Sequence, residues 1–378
     1  MIKVGIVGAR GINGMKGFKS MPEDVEVTAI CDLNEDVIKE QSAKHGIKNT
    51  FRVYEDMLES DIDAVVISTP MQCHVPQAIA ALNAGKHVMS EVTAGVTMDE
   101  LYWLTETVED SGKIYMFAEN YCYTPEAQLI KELALKGYFG EIYSAGGEYL
   151  HALEPQHLAN AQGVPTWRKY WQMGKSGSFY PTHSLGPIMQ CMPQERIAEI
   201  TTFSPGRHRI YPNVRQDDGT TTMCVTESGK LIEIKVDCSS PRPHKMDYYS
   251  IQGTKGIYES SRGFGDSPKI AIDADKNPKG HHDWVSIWEY SEHLPERFKN
   301  ATEEQKAAGH NGGDFFIIKD FIDAIKNNKQ PELDVYKACE WTAVGLLSEL
   351  SVINGSKTMQ MPVFGPKGVR KDEYEIKF

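Results

Sequence analysis

The sequence predicts an α/β fold with a parallel sheet wound on both faces by helices, followed by an α/β domain with an open, mainly antiparallel sheet. Two patterns support this prediction. Up to residue 122, short apolar runs alternate with helical segments through short loops, which is the order of a doubly wound sheet. From residue 123 onward, longer alternating runs mostly follow one another without helices. We therefore divide the 378 residues into a nucleotide-binding domain, 1–122, and a substrate-binding and oligomerisation domain, 123–378. The last helix is a candidate to pack back on the first domain.

The N-terminal stretch predicts a buried strand that leads through a glycine turn into a helix. An apolar run ends at Gly8, and Gly11 and Gly14 follow with a G-x-x-G-x-x-G spacing. Arg10 and Asn13 stand where the common G-x-G-x-x-G fingerprint has its second and third glycines. A glycine turn alone is often only a turn, but after a strand and before a helix it offers N–H groups to a pyrophosphate. The candidate residues for that diphosphate are Gly8, Arg10, Gly11, Ile12 and Asn13.

Asp32 bears on whether the bound dinucleotide is NAD or NADP. It follows a second apolar run about 20 residues past the turn, where a carboxylate can bind the two ribose hydroxyls of an adenosine. The same charge would repel a 2′-phosphate, which favours NAD. Arg10 favours NADP, because a guanidinium in this turn can hold that phosphate. The acid at the end of the strand makes NAD our prediction.

Three further strands of the first domain are predicted to end in polar residues. Residues 64–68 lead into Thr69, residues 87–90 into Glu91 and residues 114–117 toward Asn120. Helices are predicted at 34–45, 74–84 and 97–111. Because ligands of doubly wound sheets lie at the carboxyl ends of the strands, a Rossmann-type site is expected there. Its remaining candidates are Asp32, Ser68, Thr69, His74, Glu91 and Asn120, although His74 and Asn120 could instead cap helices.

The second half predicts a half-exposed sheet. Strands are expected at 142–150, 198–203, 220–226, 231–236 and 248–251, and helices at 125–137, 315–327 and 334–353. Residues 259–312 are polar and have little periodicity, so we interpret them as long loops that could cover a site. An open sheet usually needs a cover, which predicts a homo-oligomer, a dimer or tetramer, formed through that sheet.

The composition of the chain indicates which partners it is expected to bind and in which compartment of the cell it is expected. The net charge of −12 disfavours nucleic acid and an anionic membrane surface. No apolar run approaches the ~20 residues needed to span a bilayer. The N-terminus enters a strand at once, leaving no room for a signal peptide. Seven cysteines without a C-x-x-C pair fit a reduced, cytoplasmic protein.

Several motifs resemble the Gfo/Idh/MocA oxidoreductases, which pair a nucleotide-binding domain with an α/β domain on an open sheet. They are the N-terminal strand and turn, Ser68-Thr69-Pro70 with His74, Ala84-Gly85-Lys86-His87-Val88 and Gly253-Thr254-Lys255-Gly256. The resemblance covers essentially the whole chain. Two positions depart from it. Most members carry a catalytic lysine in a Glu-Lys-Pro triplet, and Val92 replaces it here. Phe179 occupies the place of an aspartate four residues before His183.

Longer motifs resemble a narrower branch, the NAD-dependent N-acetylgalactosaminidases. They are the segments 118–123 and 146–151, Trp167-Arg168, and the segments 180–187, 309–314 and 341–344. The resemblance implies that tightly held NAD oxidises a sugar hydroxyl at carbon 3. The ketone acidifies the neighbouring C–H, the glycosidic bond is eliminated, and hydride is returned. The branch is also similar to enzymes that only make 3-keto glycosides. The sequence leaves both outcomes open, as well as a sugar sensor that has lost catalysis along with the lysine.

His183 is the candidate base, because an imidazole can take a proton near neutral pH. Tyr180 could relay that proton or stabilise an oxyanion, and both side chains would share a face if the segment is helical. Packing is the alternative for this pair. Tyr121, His151, Trp167 and Arg168 are candidates for the sugar, although His151 could simply end a strand and Trp167-Arg168 could anchor a loop. Glu148, His151 and His183 could hold a metal, but no spacing requires one, and we predict none.

Overall fold

Six parallel strands in the order β3-β2-β1-β4-β5-β6 form the first sheet, which is the strand order of the Rossmann fold. The computed structural model describes residues 1–8, 11, 14–153, 158–160, 163–208, 214–273 and 283–367. The strands are β1 Ile2–Val7, β2 Val25–Cys31, β3 Asn49–Phe51, β4 Ala64–Ile67, β5 His87–Ser90 and β6 Tyr115–Phe117. The central strands consist of buried aliphatic residues, as expected for a sheet covered on both faces. The predicted parallel sheet is therefore confirmed.

Helices connect these strands, and two of them, α2 and α5, begin at residues whose side chains cap the helix. They are α1 Met15–Lys19, α2 Glu35–His45, α3 Tyr54–Leu58, α4 His74–Asn83 and α5 Met98–Ser111. Asn34 caps α2 by accepting from the backbone N–H groups of Asp36 and Val37. Thr97 and Glu100 form a capping box at the start of α5, which satisfies two of the N–H groups that a helix leaves open. The predicted helices at 34–45, 74–84 and 97–111 therefore agree with α2, α4 and α5.

The second sheet has nine strands in the order β14-β13-β12-β11-β7-β10-β9-β8-β15. They are β7 Ile142–Leu150, β8 Ile197–Phe203, β9 Thr220–Thr226, β10 Leu231–Asp237, β11 Lys245–Gly253, β12 Gly256–Glu259, β13 Lys269–Ile272, β14 Val285–Ser286 and β15 Met359–Gln360. Only the pairing of β10 with β7 is parallel among those described. The predicted mainly antiparallel sheet is confirmed.

Further helices belong to the second half of the chain. They are α6 Pro125–Leu135, α7 Trp167–Trp171, α8 Thr182–Gln190, α9 Glu296–Lys299, α10 Glu303–Lys306, α11 Gly313–Asn327 and α12 Val335–Ile353. Residues 259–312 are more structured than the predicted loops, because they contain β13, β14 and short helices whose apolar positions are too few to show a period. None of the described helices is both long and apolar enough to cross a membrane.

The chain forms two compact units that alternate along the sequence. One contains Met1–Thr124, Ala301–Glu340 and Val363–Phe378, and the other contains Pro125–Asn300 and Trp341–Pro362. A single boundary near residue 122 does not account for the return of residues 301–340 to the first unit. The assignment of substrate binding and oligomerisation to residues 123–378 stays a prediction.

Candidate functional site

The glycine turn of the first unit lies directly against the end of β4. Gly8 has a φ of +88°, and a Cβ on it would lie 2.6 Å from the backbone oxygen of Ser68. Its N–H donates to the carbonyl of Cys31 at the end of β2, with an N–O distance of 2.9 Å. A Cβ on Gly11 would lie 2.8 Å from the Ile6 side chain. A side chain at either position would clash with its neighbours. The two glycines therefore let the backbone lie close to the carboxyl ends of β1, β2 and β4.

The polar groups at this edge fit a dinucleotide. Ser68 is buried, and its hydroxyl has no hydrogen-bond partner among the residues that the structure describes. Asp32 accepts a hydrogen bond from the backbone N–H of Asn34 at 2.8 Å, which fixes the carboxylate at the end of β2. The Thr69 hydroxyl donates to Gln77 at 2.6 Å. The predicted residues Arg10, Ile12 and Asn13 lie outside the described residues.

His74 has a different environment from the one predicted. It is 1% exposed, and its ring nitrogens lie 2.7 Å from the carbonyl oxygen of Thr93 and 2.9 Å from that of Thr69. Burial lowers the pKa of His74, although both contacts act in the opposite direction. The ring therefore lies between the segment that follows β4 and the segment that follows β5, in contact with both. Its predicted contact with the nicotinamide stays a prediction.

Asn120 and Asp314 meet at His310, on a segment that returns to the first unit. Nδ1 of His310 lies 2.9 Å from Oδ1 of Asp314, and Nδ2 of Asn120 lies 3.1 Å from that Nδ1 and 3.3 Å from that Oδ1. No role for His310 follows from the sequence. The signal in the sequence is the glycine-rich stretch Gly-His-Asn-Gly-Gly-Asp at 309–314, in which Gly309 and Gly312 have positive φ.

Glu91 directly follows β5, and Glu119 lies after the neighbouring strand β6. Solvent reaches its side chain, yet protein surrounds it closely enough for burial to be the main cause that raises the pKa of its carboxyl to about 7. The carboxylates of Asp314 and Glu119 raise it further. The imidazole of His310 and the backbone N–H of Val92 act in the opposite direction.

In the second unit, the imidazole of His183 lies among aromatic rings at the start of α8. The His183 ring lies 5.2 Å from the Tyr180 ring and 5.3 Å from the Tyr149 ring, centroid to centroid. Tyr249 donates from its hydroxyl to the backbone carbonyl of His183 at 3.0 Å. The predicted shared helix face is wrong, because Tyr180 precedes the N-cap of α8, Pro181. The two rings nevertheless meet edge to face.

His151 is linked to the same group through a hydrogen bond. The hydroxyl oxygen of Tyr149 lies 2.8 Å from Nδ1 of His151, within hydrogen-bond distance, so the position of the ring is fixed by β7. On its other side its ring contacts His244, with 4.8 Å between centroids. His244 lies in the loop between β10 and β11. It belongs to no recognisable motif and is not among the residues that the sequence predicts for the site.

Close packing fixes the segment that leads to His183. The backbone N–H of Gly177 donates to Oδ2 of Asp217 at 3.0 Å. A Cβ on Gly345 of α12 would lie 2.7 Å from the backbone oxygen of Phe179 and 3.0 Å from Cδ of Pro181. The segment therefore lies against α12 with no room for a side chain between them.

The remaining candidates for the sugar lie on different elements. Trp167 and Arg168 are not in the predicted loop, because they begin the short helix α7. The Arg168 guanidinium stacks 4.6 Å from the centre of the Trp167 ring and also bonds Gln172. Tyr121 lies in a 3-10 turn of the first unit, and its ring lies 5.9 Å from that of His310.

Glu148 does not join His183 and His151. Side chains alternate along β7, and Glu148 forms an ion pair of 2.7 Å with Arg262, whereas Tyr149 contacts the two histidines. The described residues contain no group of three or more His, Cys, Asp or Glu side chains placed to hold a metal ion.

Comparisons with known proteins now decide the family. The glycosyl hydrolase 109 C-terminal domain matches residues 123–370, more than half of the chain. An alpha-N-acetylgalactosaminidase of Shewanella oneidensis is 30% identical, over 96% of this chain and 85% of that protein. The chain belongs to glycosyl hydrolase family 109. A glycosyl hydrolase family 109 protein of Solibacter usitatus is equally similar, at 30% identity over 96% of this chain and 88% of that one.

The N-terminal part of the chain matches the broader family that its motifs resemble. The Gfo/Idh/MocA oxidoreductase family, with an NAD-binding Rossmann fold, matches residues 2–119. The prediction of NAD as the cofactor is therefore confirmed. A crystal structure of levoglucosan dehydrogenase in complex with NADH superposes with a TM-score of 0.79 at 20% identity, covering 96% of this chain and 99% of that one. At this identity the likeness shows the fold.

Proposed function

We propose that this member of glycosyl hydrolase family 109 is an NAD-dependent enzyme that oxidises the carbon 3 hydroxyl of a sugar or glycoside to a 3-keto sugar. The observation that carries the proposal is the group formed by His183, Tyr180 and Tyr149 at the start of α8. Oxidation of a secondary alcohol breaks an O–H and a C–H bond, so it needs a proton acceptor as well as a hydride acceptor.

We assign cofactor binding to residues that the sequence predicts at the carboxyl ends of the first sheet. They are Gly8, Arg10, Gly11, Ile12, Asn13, Asp32, Ser68, Thr69, His74, Glu91 and Asn120. Bound NAD supplies the hydride acceptor. The turn binds the diphosphate through backbone N–H groups, and Asp32 accepts hydrogen bonds from the adenosine ribose.

His183 takes the proton of the sugar hydroxyl in this proposal. Its imidazole is 8% exposed, so the proton moves where little water competes. Tyr180 is a poor base because an ordinary tyrosine has a pKa of about 10, but its hydroxyl can donate to the developing oxyanion. His151, Trp167, Arg168 and Tyr121 bind the sugar, by hydrogen bonds and by stacking on its apolar face.

A second candidate is a glycosidase that begins with the same oxidation. Membership of glycosyl hydrolase family 109 favours it. A ketone at carbon 3 acidifies the hydrogen at carbon 2, which permits elimination of the group at carbon 1. Water then adds and the ketone is reduced again, so the glycosidic bond is hydrolysed with no net change in NAD.

One experiment separates these reactions. The chain with its native cofactor is incubated with aryl glucosides, galactosides and N-acetylgalactosaminides, and products are identified by mass spectrometry while NADH is followed by absorbance. A 3-keto sugar with stoichiometric NADH supports the dehydrogenase. Released aglycone with NAD unchanged supports the glycosidase. Failure of every glycoside and free sugar to reduce bound NAD would leave a non-catalytic sugar sensor.

A further inference from the structure

His310, Asp314 and Asn120 form a hydrogen-bonded group in the first unit, just after the carboxyl end of β6. Asn120 begins the 3-10 turn that follows this strand, and Asp314 lies in the first turn of α11. Oδ1 of Asp314 lies 2.9 Å from Nδ1 of His310 and 3.3 Å from Nδ2 of Asn120. Ligands of doubly wound sheets bind at this edge, so the group lies where the cofactor is expected.

The backbone brings these three side chains together. Gly309 has a φ of +121°, and a Cβ on it would overlap Oδ2 of Asp314, so only a glycine leaves room for the carboxylate here. A Cβ on Gly313 would lie 3.2 Å from the backbone oxygen of Tyr123 and 3.4 Å from that of Asn120. The start of α11 therefore packs closely on the 3-10 turn, which fixes the distance between Asp314 and Asn120.

The hydrogen bonds require a proton on Nδ1 of His310. A carboxylate only accepts, so the contact with Asp314 needs Nδ1 as the donor. The amide nitrogen of Asn120 donates to the same oxygen, because the amide oxygen in its place would meet the carboxylate as a second acceptor. These proton positions are assigned from the network of donors and acceptors. A neutral ring that carries its proton on Nδ1 has an unprotonated Nε2, which can accept a hydrogen bond.

The exposed fractions of the two side chains differ. The side chain of Asp314 is 20% exposed and that of His310 is 45% exposed, so a ligand can reach the ring more readily than the carboxylate. Among the described residues, the polar contact of Nε2 is with Nδ2 of Asn120 at 3.5 Å, which is longer than an ordinary N–H hydrogen bond. Nε2 is therefore available as an acceptor for a ligand.

We propose that Asp314 is a positioning residue that keeps His310 in its Nδ1–H form, and that Nε2 of this ring accepts a hydrogen bond from the nicotinamide half of the bound dinucleotide. That half carries two kinds of donor, the ribose hydroxyls and the carboxamide NH₂. The inference rests on the proposed role of Asn120 in cofactor binding, because Asn120 shares Oδ1 of Asp314 with the ring. Asp314 does not touch the cofactor; it decides which ring nitrogen carries the proton.

The first test determines the protonated nitrogen of His310 in the cofactor-free, full-length chain. The chain is labelled with ¹⁵N-histidine, and two-bond ¹H–¹⁵N correlation spectra show which nitrogen of each ring is protonated. The ring of His310 is assigned as the signals lost in His310→Asn, since asparagine tolerates the φ of +45° at this position. The hydrogen bond with Asp314 is the main cause that raises the pKa of His310, against burial. Spectra are therefore recorded well above the ordinary histidine pKa of about 6.5.

We expect the wild-type ring to carry its proton on Nδ1. Asp314→Ala removes the acceptor and should raise the share of the Nε2–H form. Asp314→Asn keeps an acceptor oxygen of the same shape and should retain the Nδ1–H form. An Nε2–H ring in the wild type, or the same tautomer in the wild type and in Asp314→Ala, overturns the inference.

The second test measures dissociation constants of NAD⁺, ADP-ribose and ADP by calorimetry, without sugar. His310→Asn and Asp314→Ala should each weaken NAD⁺ binding by about 3- to 10-fold, which is the usual effect of one hydrogen bond. Asp314→Asn should keep most of the affinity. ADP lacks the nicotinamide half, so its constant should not change. A loss for ADP-ribose as well as NAD⁺ assigns the donor to the ribose, and a loss for NAD⁺ alone assigns it to the carboxamide.

Asp323→Ala is the matched control, because it removes from the same helix a carboxylate that pairs with the partly exposed Lys319. It should match the wild type with all three ligands. An unchanged NAD⁺ constant in His310→Asn and Asp314→Ala, or an equal loss for ADP, overturns the inference. Failure to oxidise any sugar, with the expected tautomer and affinities intact, contradicts only the proposed function.

Discussion

His183 owes its surroundings to three separate segments of the second unit. Tyr149 comes from β7, Tyr180 precedes α8, and Tyr249 of β11 holds the backbone carbonyl of His183. The aromatic rings exclude water from the imidazole, and the backbone bond fixes where α8 begins. A single side chain therefore acquires a defined position from residues far apart in sequence.

His183→Asn should lower turnover by about 10²- to 10⁴-fold, which is the usual contribution of a general base. Asparagine keeps polarity and similar size but cannot take a proton. His208→Asn is the control, because that exposed ring bonds only the carbonyl of Pro205 in the described contacts of its side chain. Steady-state kinetics with the best glycoside checks both variants. Wild-type turnover in His183→Asn contradicts the assignment of the base.

Glu91 should make the stability of the cofactor-free protein depend on pH. Its pKa is about 7 in the folded state against an ordinary value of 4.5, so the folded protein binds the proton more tightly. The stabilisation is complete below 4.5 and is lost as the pH rises through about 7. The melting temperature of Glu91→Gln minus that of the wild type should therefore increase across this window and then level off. A difference that falls with pH contradicts the sign.

Between elements, the contact of α12 with the segment before α8 sets the geometry of the second unit's site. Gly345 lets the backbone of Phe179 approach the helix within the space that a methyl group would fill. Ser348, one turn later, donates to the carbonyl of Gly345 at 2.6 Å. The helix thus fixes the position of the segment that leads to His183.

Gly345→Ala should shift that segment, because its Cβ would meet the Phe179 oxygen at 2.7 Å. Overpacking of this kind costs about 1–3 kcal/mol of the free energy of unfolding, and the displaced His183 should lower kcat more than it changes KM. Ile353→Ala, an exposed change at the end of the same helix, is the control and should keep kcat. Denaturant unfolding and steady-state kinetics measure the two effects. Unchanged kcat in Gly345→Ala would contradict the positioning role.

For the whole molecule, the predicted homo-oligomer depends on the uncovered face of the second sheet. Leu231 and Val225 are cross-strand neighbours there, as are Phe203 and Thr221. Leu231 and Phe203 are 45% and 53% exposed. Leu231 and Val225 form one apolar pair on this face, and exposed apolar side chains of this kind are typical of an interface.

We expect light scattering to report the mass of a dimer or tetramer. Leu231→Glu should shift the equilibrium toward the monomer, because it places a charge in the interface. Lys39→Glu on α2, an exposed change of the first unit, is the control and should leave the oligomer intact. A wild-type monomer at all concentrations contradicts this prediction.

The sequence alone determined the features that depend on local order along the chain. Apolar runs, glycines and caps such as Asn34 are read over a few residues, so the parallel sheet, most strand bounds and NAD followed from them. The pair of Tyr180 and His183 was found for the same reason.

Tertiary structure decided what no local pattern encodes. The return of residues 301–340 to the first unit places His310 and Asp314 beside Asn120, about 190 positions away in sequence. Tyr149 and Tyr249 reach His183 only because β7 and β11 pair in one sheet beneath α8. Hydrogen bonds and ring contacts act over a few ångströms, whatever the sequence separation, so these partners become visible only after the chain has folded.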